Sequence, residues 1–284
     1  MDLSLRQRPA RVLRPAPVLR VFGTARLLLH EDPDPGRVAK LRDALRRDRM
    51  LRNPPIVAPM ADGRAVVLDG ANRVTALREI GARQIAAQVV SYDQPEIVLS
   101  TWCHYIREED PPPFRERLRG VRGVTAAATT PGEADRRLQQ REGFASVTDA
   151  QGTLLLRDRG DPVAAAEILN HIVGLYRGRS RIYRVDTGDI EALRAEYGPG
   201  TLIVFLPFNK EDILLIAERG GRLPTGITRH IIPGRALRLN VPLEWLIEGT
   251  GPEAAQARLD AAVDQRWQDH GVRYYAEPTF LFDE

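Results

Sequence analysis

Three observations predict an α+β fold in two units. The chain has 284 residues, and at roughly 150 residues per domain that length suits two domains or one large one. Strand-type and helix-type apolar spacings are interleaved from Val18 onward, with a hairpin inside the first stretch. The run Asp110-Pro111-Pro112-Pro113 then makes the sharpest break in the chain, and more strands and helices follow it. The expected division is a loose basic arm over 1–17, a first α+β unit over 18–110 and a second over 111–284. A hydrophobic share of 43% supports a real core, and 28% charged residues supply an ordinary solvated surface.

Arg6, Arg8, Arg11, Arg14 and Arg20, with Pro9 and Pro15 among them, make the arm basic and interrupted. Val18, Val21 and Leu27 to Leu29 then predict strand. Asp34-Pro35 is a helix start, an N-cap followed by proline at the first helical position, and Val38, Leu41 and Leu45 keep helical spacing. Ile56–Pro59 and Ala65–Leu68 read as two strands of a hairpin turning at Asp62-Gly63. A helix opened by Asp69–Arg73 and running through Ile80, closed by Gly81, and a strand over 85–90 complete the first unit. Residues 96–106 carry apolar residues at helical spacing. In the second unit, helices are expected over 133–141, 164–176, 210–218, 242–247 and 254–267. Strands are expected over 145–147, 153–156, 202–206, 227–232 and 272–275.

Several function classes are excluded. No apolar run approaches the ~20 residues of a membrane span, and the first residues lack the apolar core of a signal peptide. The expected location is therefore the cytoplasm. A single cysteine, Cys103, rules out an internal disulfide and a cysteine-only zinc site. The 41 basic and 38 acidic side chains leave a net charge of +3, a weak field for extensive nucleic-acid contact. There is no P-loop, no complete dinucleotide-binding glycine fingerprint, no nucleophile elbow and no pair of histidines at i, i+4.

One local pattern carries chemistry. Leu68-Asp69-Gly70-Ala71-Asn72-Arg73 sits where a strand ends and a helix begins. Backbone amides at such a terminus point outward, and the dipole adds about half a positive charge. Gly70 would let a phosphate approach the backbone, and Arg73 would fork two of its oxygens. The same residues also read as a plain helix start, with Asp69 or Asn72 as cap and Arg73 on the surface. Glu31, at the exit of an apolar strand beside His30, is a candidate general base. It reads equally as an acidic residue placed ahead of a helix for dipole reasons. Cys103-His104 resembles a metal pair, but neighbours on a helix point apart. Arg177, Arg179, Arg181 and Arg184 alternate like one face of a strand, solvated or anion-binding.

Taken together, Leu29-His30-Glu31, the helix from Pro35, Arg52-Asn53-Pro54-Pro55-Ile56-Val57 and the Asp69–Arg73 turn resemble the ParB/sulfiredoxin superfamily. More narrowly they resemble its free L-serine kinases, which form O-phosphoserine. The likeness spans roughly 18–106 and continues through Leu223–His230 and Pro233-Gly234-Arg235. It implies a ParB/sulfiredoxin-like N-terminal domain, a second α+β domain, and an active site in the cleft between them. It implies Glu31 as general base on the serine hydroxyl. Asp69, Gly70, Ala71, Asn72 and Arg73 would bind nucleotide phosphates, and Trp102, Thr228, Arg229 and His230 the substrate side. The implied cofactor is Mg²⁺ with ATP or ADP, held through the phosphates and Asp69. Two departures stand out: Ala71-Asn72 replaces the histidines common before the arginine, and the turn lacks the cysteine that sulfiredoxin chemistry needs. The alternative within the same superfamily is a nucleotide-binding regulator without catalysis, meeting DNA through the basic arm.

Overall fold

The computed structural model describes residues 16–108, 113–157 and 162–275. Arg6, Arg8, Arg11 and Arg14 of the expected arm lie outside those residues, while Arg20 sits exposed in the first strand. Strands β1 (Val18–Gly23) and β2 (Leu27–Leu29) are followed by helix α1 (Pro35–Asp48). Asp34 starts α1, its carboxylate accepting from the Arg37 amide at 2.9 Å, as the Asp-Pro spacing predicts. After β3 (Met50–Leu51), β4 (Ile56–Pro59) and β5 (Ala65–Asp69) pair antiparallel across the expected turn. Helix α2 (Ala71–Glu79) and β6 (Gln84–Val89) close this part. The resulting sheet has the order β1-β6-β4-β5-β2, with β2 parallel to β5.

The expectation of a helix over 96–106 is corrected. That segment forms two strands, β7 (Val98–Thr101) and β8 (Cys103–Glu108). The reason lies in burial. Ile106 enters one apolar cluster and Tyr105 another, so β8 is covered on both faces. A strand covered on both sides loses its polar alternation and reads as an apolar run that mimics a helix.

Next come α3 (Phe114–Leu118), β9 (Thr125–Thr129), α4 (Pro131–Gln139), β10 (Ala145–Asp149) and β11 (Gly152–Arg157). They lead to α5 (Pro162–Gly174), β12 (Ser180–Val185), α6 (Ile190–Tyr197), β13 (Thr201–Phe205) and α7 (Lys210–Glu218). A second sheet takes the order β12-β8-β13-β10-β11-β9. Strand β14 (Thr228–Ile231) pairs with β7, and β15 (Val241–Pro242) pairs with β3. Helices α8 (Leu243–Ile247) and α9 (Pro252–Gln268) follow. Only Arg181 and Arg184 of the expected arginine row fall in β12, and being three apart they face opposite sides of it.

The expected boundary at residue 110 also differs from the structure. Leu239, Val241, Leu243, Leu246 and Leu259 are buried with Val57, Val67, Leu77 and Ile85 of the first sheet and α2. The C-terminal helices therefore cover one face of that sheet rather than extending the second unit. Ile56, Ala58, Val66 and Leu68, which alternate with Val57 and Val67, turn to the opposite face and pack with Ile106, Phe205, Ile213 and Leu223. The first sheet is thus sandwiched between the end of its own chain and the second sheet's core. The late strand expected over 272–275 is not formed, and Val272, Tyr274 and Tyr275 are exposed. No helix among the described residues is long and apolar enough to cross a membrane.

Candidate active site

The parallel pairing of β2 with β5 sets Leu29 against Val67 and delivers His30 and Glu31 to the sheet's end. There the chain meets a distant segment. The Leu223 amide donates to the His30 carbonyl at 2.7 Å, and the Asp32 amide donates to the Leu223 carbonyl at 2.8 Å. This short parallel bridge brings Thr228 onto Glu31. Its amide donates to Glu31 Oε1 at 3.0 Å, and its hydroxyl donates to the same oxygen. His30 is buried beneath: Nδ1 lies 2.7 Å from the Val67 carbonyl and Nε2 lies 3.0 Å from Thr228 Oγ1.

At the end of β5, Gly70 adopts φ +100°, and α2 begins without any side-chain cap. No side-chain cap occupies its first turn, and neither Asp69 nor Asn72 serves as cap. A Cβ at position 70 would stand 3.0 Å from Pro55 Cβ and 3.1 Å from Arg73 Nη2, so glycine is required both by conformation and by space.

Arg73 and Asn72 do structural work that was not foreseen. Arg73 Nη1 donates to the carbonyls of Asn53 and Pro54 at 2.9 and 2.8 Å, and Nη2 donates to Asp69 Oδ2 at 2.8 Å. The guanidinium braces the proline loop against the start of α2 rather than reaching out as a free fork. Arg235 also pairs with Asp69 Oδ2. Asn72 Oδ1 accepts from the Asp34 amide at 2.7 Å, tying the start of α1 to the start of α2.

The opposite wall comes from β7, β12 and the segment before β14. The Trp102 amide donates to the Ile227 carbonyl at 2.8 Å, and the Arg229 guanidinium lies 4.4 Å from the centre of the Trp102 ring. Arg184 from β12 lies over Gly226, where any Cβ would overlap its guanidinium. His104 is buried, with Nδ1 2.7 Å from the Tyr176 hydroxyl and Nε2 3.2 Å from the Gly226 carbonyl. Desolvation drags its pKa down to about 4. His230 Nε2 lies 2.7 Å from the Tyr92 hydroxyl, and burial, reinforced by nearby His30, lowers its pKa to about 3. Cys103 and His104 face opposite sides of β8, so they do not form a common metal site.

One cavity of about 800 Å³ is lined by Glu31, by Asp69 to Arg73, by Trp102 and by Thr228, Arg229 and His230. Every site residue nominated from the sequence therefore faces the same space. The cavity adds Arg37, Arg184, Gly226 and Arg235, among others. Its described lining holds eight Arg or Lys side chains against three carboxylates, so it suits a polyanionic ligand. Arg184 was half-visible in the arginine row, but nothing local told it apart from Arg181. No group of three or more His, Cys, Asp or Glu side chains able to hold a metal occurs among the described residues.

No family model matches the chain. Curated relatives do. The chain is 26% identical over 271 residues to the ATP-dependent L-serine kinase SbnI of Staphylococcus aureus, covering 94% of this chain and 97% of that protein. It is 24% identical over 228 residues to the ATP-dependent L-serine kinase of Desulfurococcus mucosus, covering 78% of this chain and 88% of that one. Among solved structures, SbnI from Staphylococcus aureus with a C-terminal truncation superposes with a TM-score of 0.72 at 22% identity, over 88% of this chain and 97% of that chain. A free serine kinase in complex with AMP gives a TM-score of 0.69 at 16% identity, over 82% and 95% of the two chains. The fold is that of these serine kinase structures, and the relatives matched along most of the sequence are ATP-dependent L-serine kinases.

Proposed function

We propose that this chain phosphorylates free L-serine on its hydroxyl with ATP as donor. The carrying observation is that Glu31 and the uncapped N-terminus of α2 line one basic cavity. The named activity of relatives that match over nearly the whole length supports the same reading. In this reading the first sheet, with α1 and α2, is a ParB/sulfiredoxin-like nucleotide unit. The cleft between it and the β7–β14 ribbon is the active site, and the reaction takes place in the cytoplasm.

The amides of Ala71 and its neighbours hold the nucleotide phosphates, and the Arg73 brace keeps that turn in shape. The serine hydroxyl is aligned by Glu31, whose Oε1 is fixed by Thr228. Serine Oγ forms a bond to the γ-phosphorus as the bond to the bridging oxygen breaks, and the electron pair leaves with ADP. Glu31 takes the hydroxyl proton. Because the transition state is loose, positioning and charge neutralisation supply most of the acceleration. Arg184 and Arg229, on the opposite wall, provide cationic donors for the transferred group or the serine carboxylate.

The donor set suits a divalent cation that arrives on the nucleotide, since Mg²⁺ takes one or two carboxylates together with phosphate oxygens. Asp69 is the carboxylate beside Gly70 and would hold the ion together with the phosphates; the two arginine bonds it accepts end on its Oδ2. When bound, Mg²⁺ supplies neutralisation of phosphate charge.

The test is incubation with ATP or ADP, Mg²⁺ and each hydroxyl amino acid, followed by mass analysis. O-phosphoserine from ATP and serine is the expected product. Glu31→Gln should abolish it while nucleotide binding survives, and retained turnover would remove Glu31 as base.

A further inference from the structure

The hydrogens around His30 do not balance in the resting site. The Val67 carbonyl only accepts, so His30 Nδ1, 2.7 Å away, must carry a hydrogen. A neutral imidazole has one N–H, which leaves Nε2 as an acceptor 3.0 Å from Thr228 Oγ1. Thr228 has a single hydroxyl proton, and the Glu31 carboxylate claims it. Two acceptors thus compete for one hydrogen, and the loser is a lone pair on a buried ring facing an oxygen. One extra proton removes the conflict. Nε2–H would donate to Thr228, Thr228 to Glu31, and Nδ1–H to Val67.

We infer that His30 is the terminal proton acceptor of the reaction, reached from Glu31 through the Thr228 hydroxyl. The inference rests on the serine-phosphorylation reading above and adds a relay behind its base. When Glu31 takes the proton from serine Oγ, it passes that proton to Thr228 Oγ1, which gives its own hydrogen to His30 Nε2. Serine is then bonded to phosphorus, ADP has left, Glu31 is again a carboxylate and the proton rests on an imidazolium. It returns by the same path when the products leave. Thr228 transmits the proton and His30 stores it.

The surroundings suit an acceptor that is empty at rest. Burial lowers the His30 pKa, and Glu31, the Val67 carbonyl and Asp69 act in the opposite sense. The other ionisable groups facing the relay are His230, whose ring stands edge-on at 5.3 Å, with Tyr92 behind it. Arg184 lies near Glu31, and Arg235 is paired to Asp69.

The experiment has two arms. Histidine ¹⁵N NMR of the intact protein at neutral pH should find His30 as the neutral Nδ1–H tautomer; an imidazolium or an Nε2–H tautomer overturns the proposal. In kinetics, Thr228→Val should lower kcat by about tenfold or more, and Thr228→Ser should restore it. The solvent-isotope proton inventory of kcat should be curved in the parent and linear in Thr228→Val, a change that loss of Glu31 positioning alone would not produce. His30→Asn keeps a donor for Val67 but places no basic nitrogen at Thr228. Its kcat–pH profile should differ from the parent's on the acid side, because the group that stores the proton is gone. A Thr228→Val enzyme with parental inventory and acid limb refutes the relay. A parent protein that does not phosphorylate serine refutes the functional reading instead, while the NMR arm still judges the proton position.

Discussion

Replacing Gly70 by alanine puts a single methyl group at a constrained point of the cavity. The backbone there holds φ +100°, which costs an L-residue about 1–2 kcal/mol. Stiffening the unfolded chain returns about 0.4–1 kcal/mol. The new Cβ would stand 3.0 Å from the ring of buried Pro55 and 3.1–3.2 Å from the Arg73 guanidinium, an overpacking worth about 1–3 kcal/mol. The mid-range values sum to roughly 3 kcal/mol of lost stability, which for a protein of this size lowers Tm by about 6–12 °C. Because the clash bears on the proline loop and on Arg73, the phosphate cradle should distort as well, and the Kd for ATP should rise by about tenfold or more. Gly63 supplies the control. It sits at φ +77° with nothing within 4 Å of its absent Cβ, so Gly63→Ala carries the strain without the clash. Thermal melts and nucleotide titrations of both variants decide the matter. If Gly70→Ala melts with Gly63→Ala and binds ATP like the parent, the turn is not the phosphate site.

Two further outcomes follow from the buried polar groups. An unfolded histidine gains its proton as pH falls through about 6.5, whereas His104 in the fold does so only near pH 4. Between those values the unfolded state binds more protons, so the stability held above pH 6.5 drains away on acidification, about 2 kcal/mol by pH 5. Urea midpoints at pH 7 and pH 5 should therefore differ less in His104→Gln than in the parent, and equal differences would refute the assignment. Arg73→Ala strips the donor from the Asn53 and Pro54 carbonyls and from Asp69. A stability loss of about 1–3 kcal/mol should accompany weaker ATP binding, with only partial recovery in Arg73→Lys, which lacks the planar fork. An unchanged Kd by calorimetry would mean that the brace is irrelevant to the cradle.

What could be read along the chain is what short-range chemistry decides. Asp34 ahead of Pro35 starts α1, Asp62-Gly63 turns the β4–β5 hairpin, and Gly70 opens α2, each through contacts a few residues long. Glu31 and the Asp69–Arg73 turn were recognisable as candidates because strand ends and helix starts announce themselves locally. Residues 96–106 read as a helix although they enter β7 and β8, since covering β8 on both faces erases the alternation that distinguishes a strand from a helix. Nor is the direction of Arg73 legible locally, because a long side chain settles on whichever acceptors the folded loop presents.

Amino-acid order alone therefore determined most of the elements and singled out the turn and the acidic residue as candidates. Tertiary structure alone decided that Thr228, 197 residues away, holds Glu31 and touches His30. It also decided that Arg184 rather than Arg181 lines the cavity, and that the chain's last helices return to its first sheet. Local propensities act over a few residues, whereas these pairings come from burying two faces of one sheet, and that requirement leaves no mark at either partner's own position.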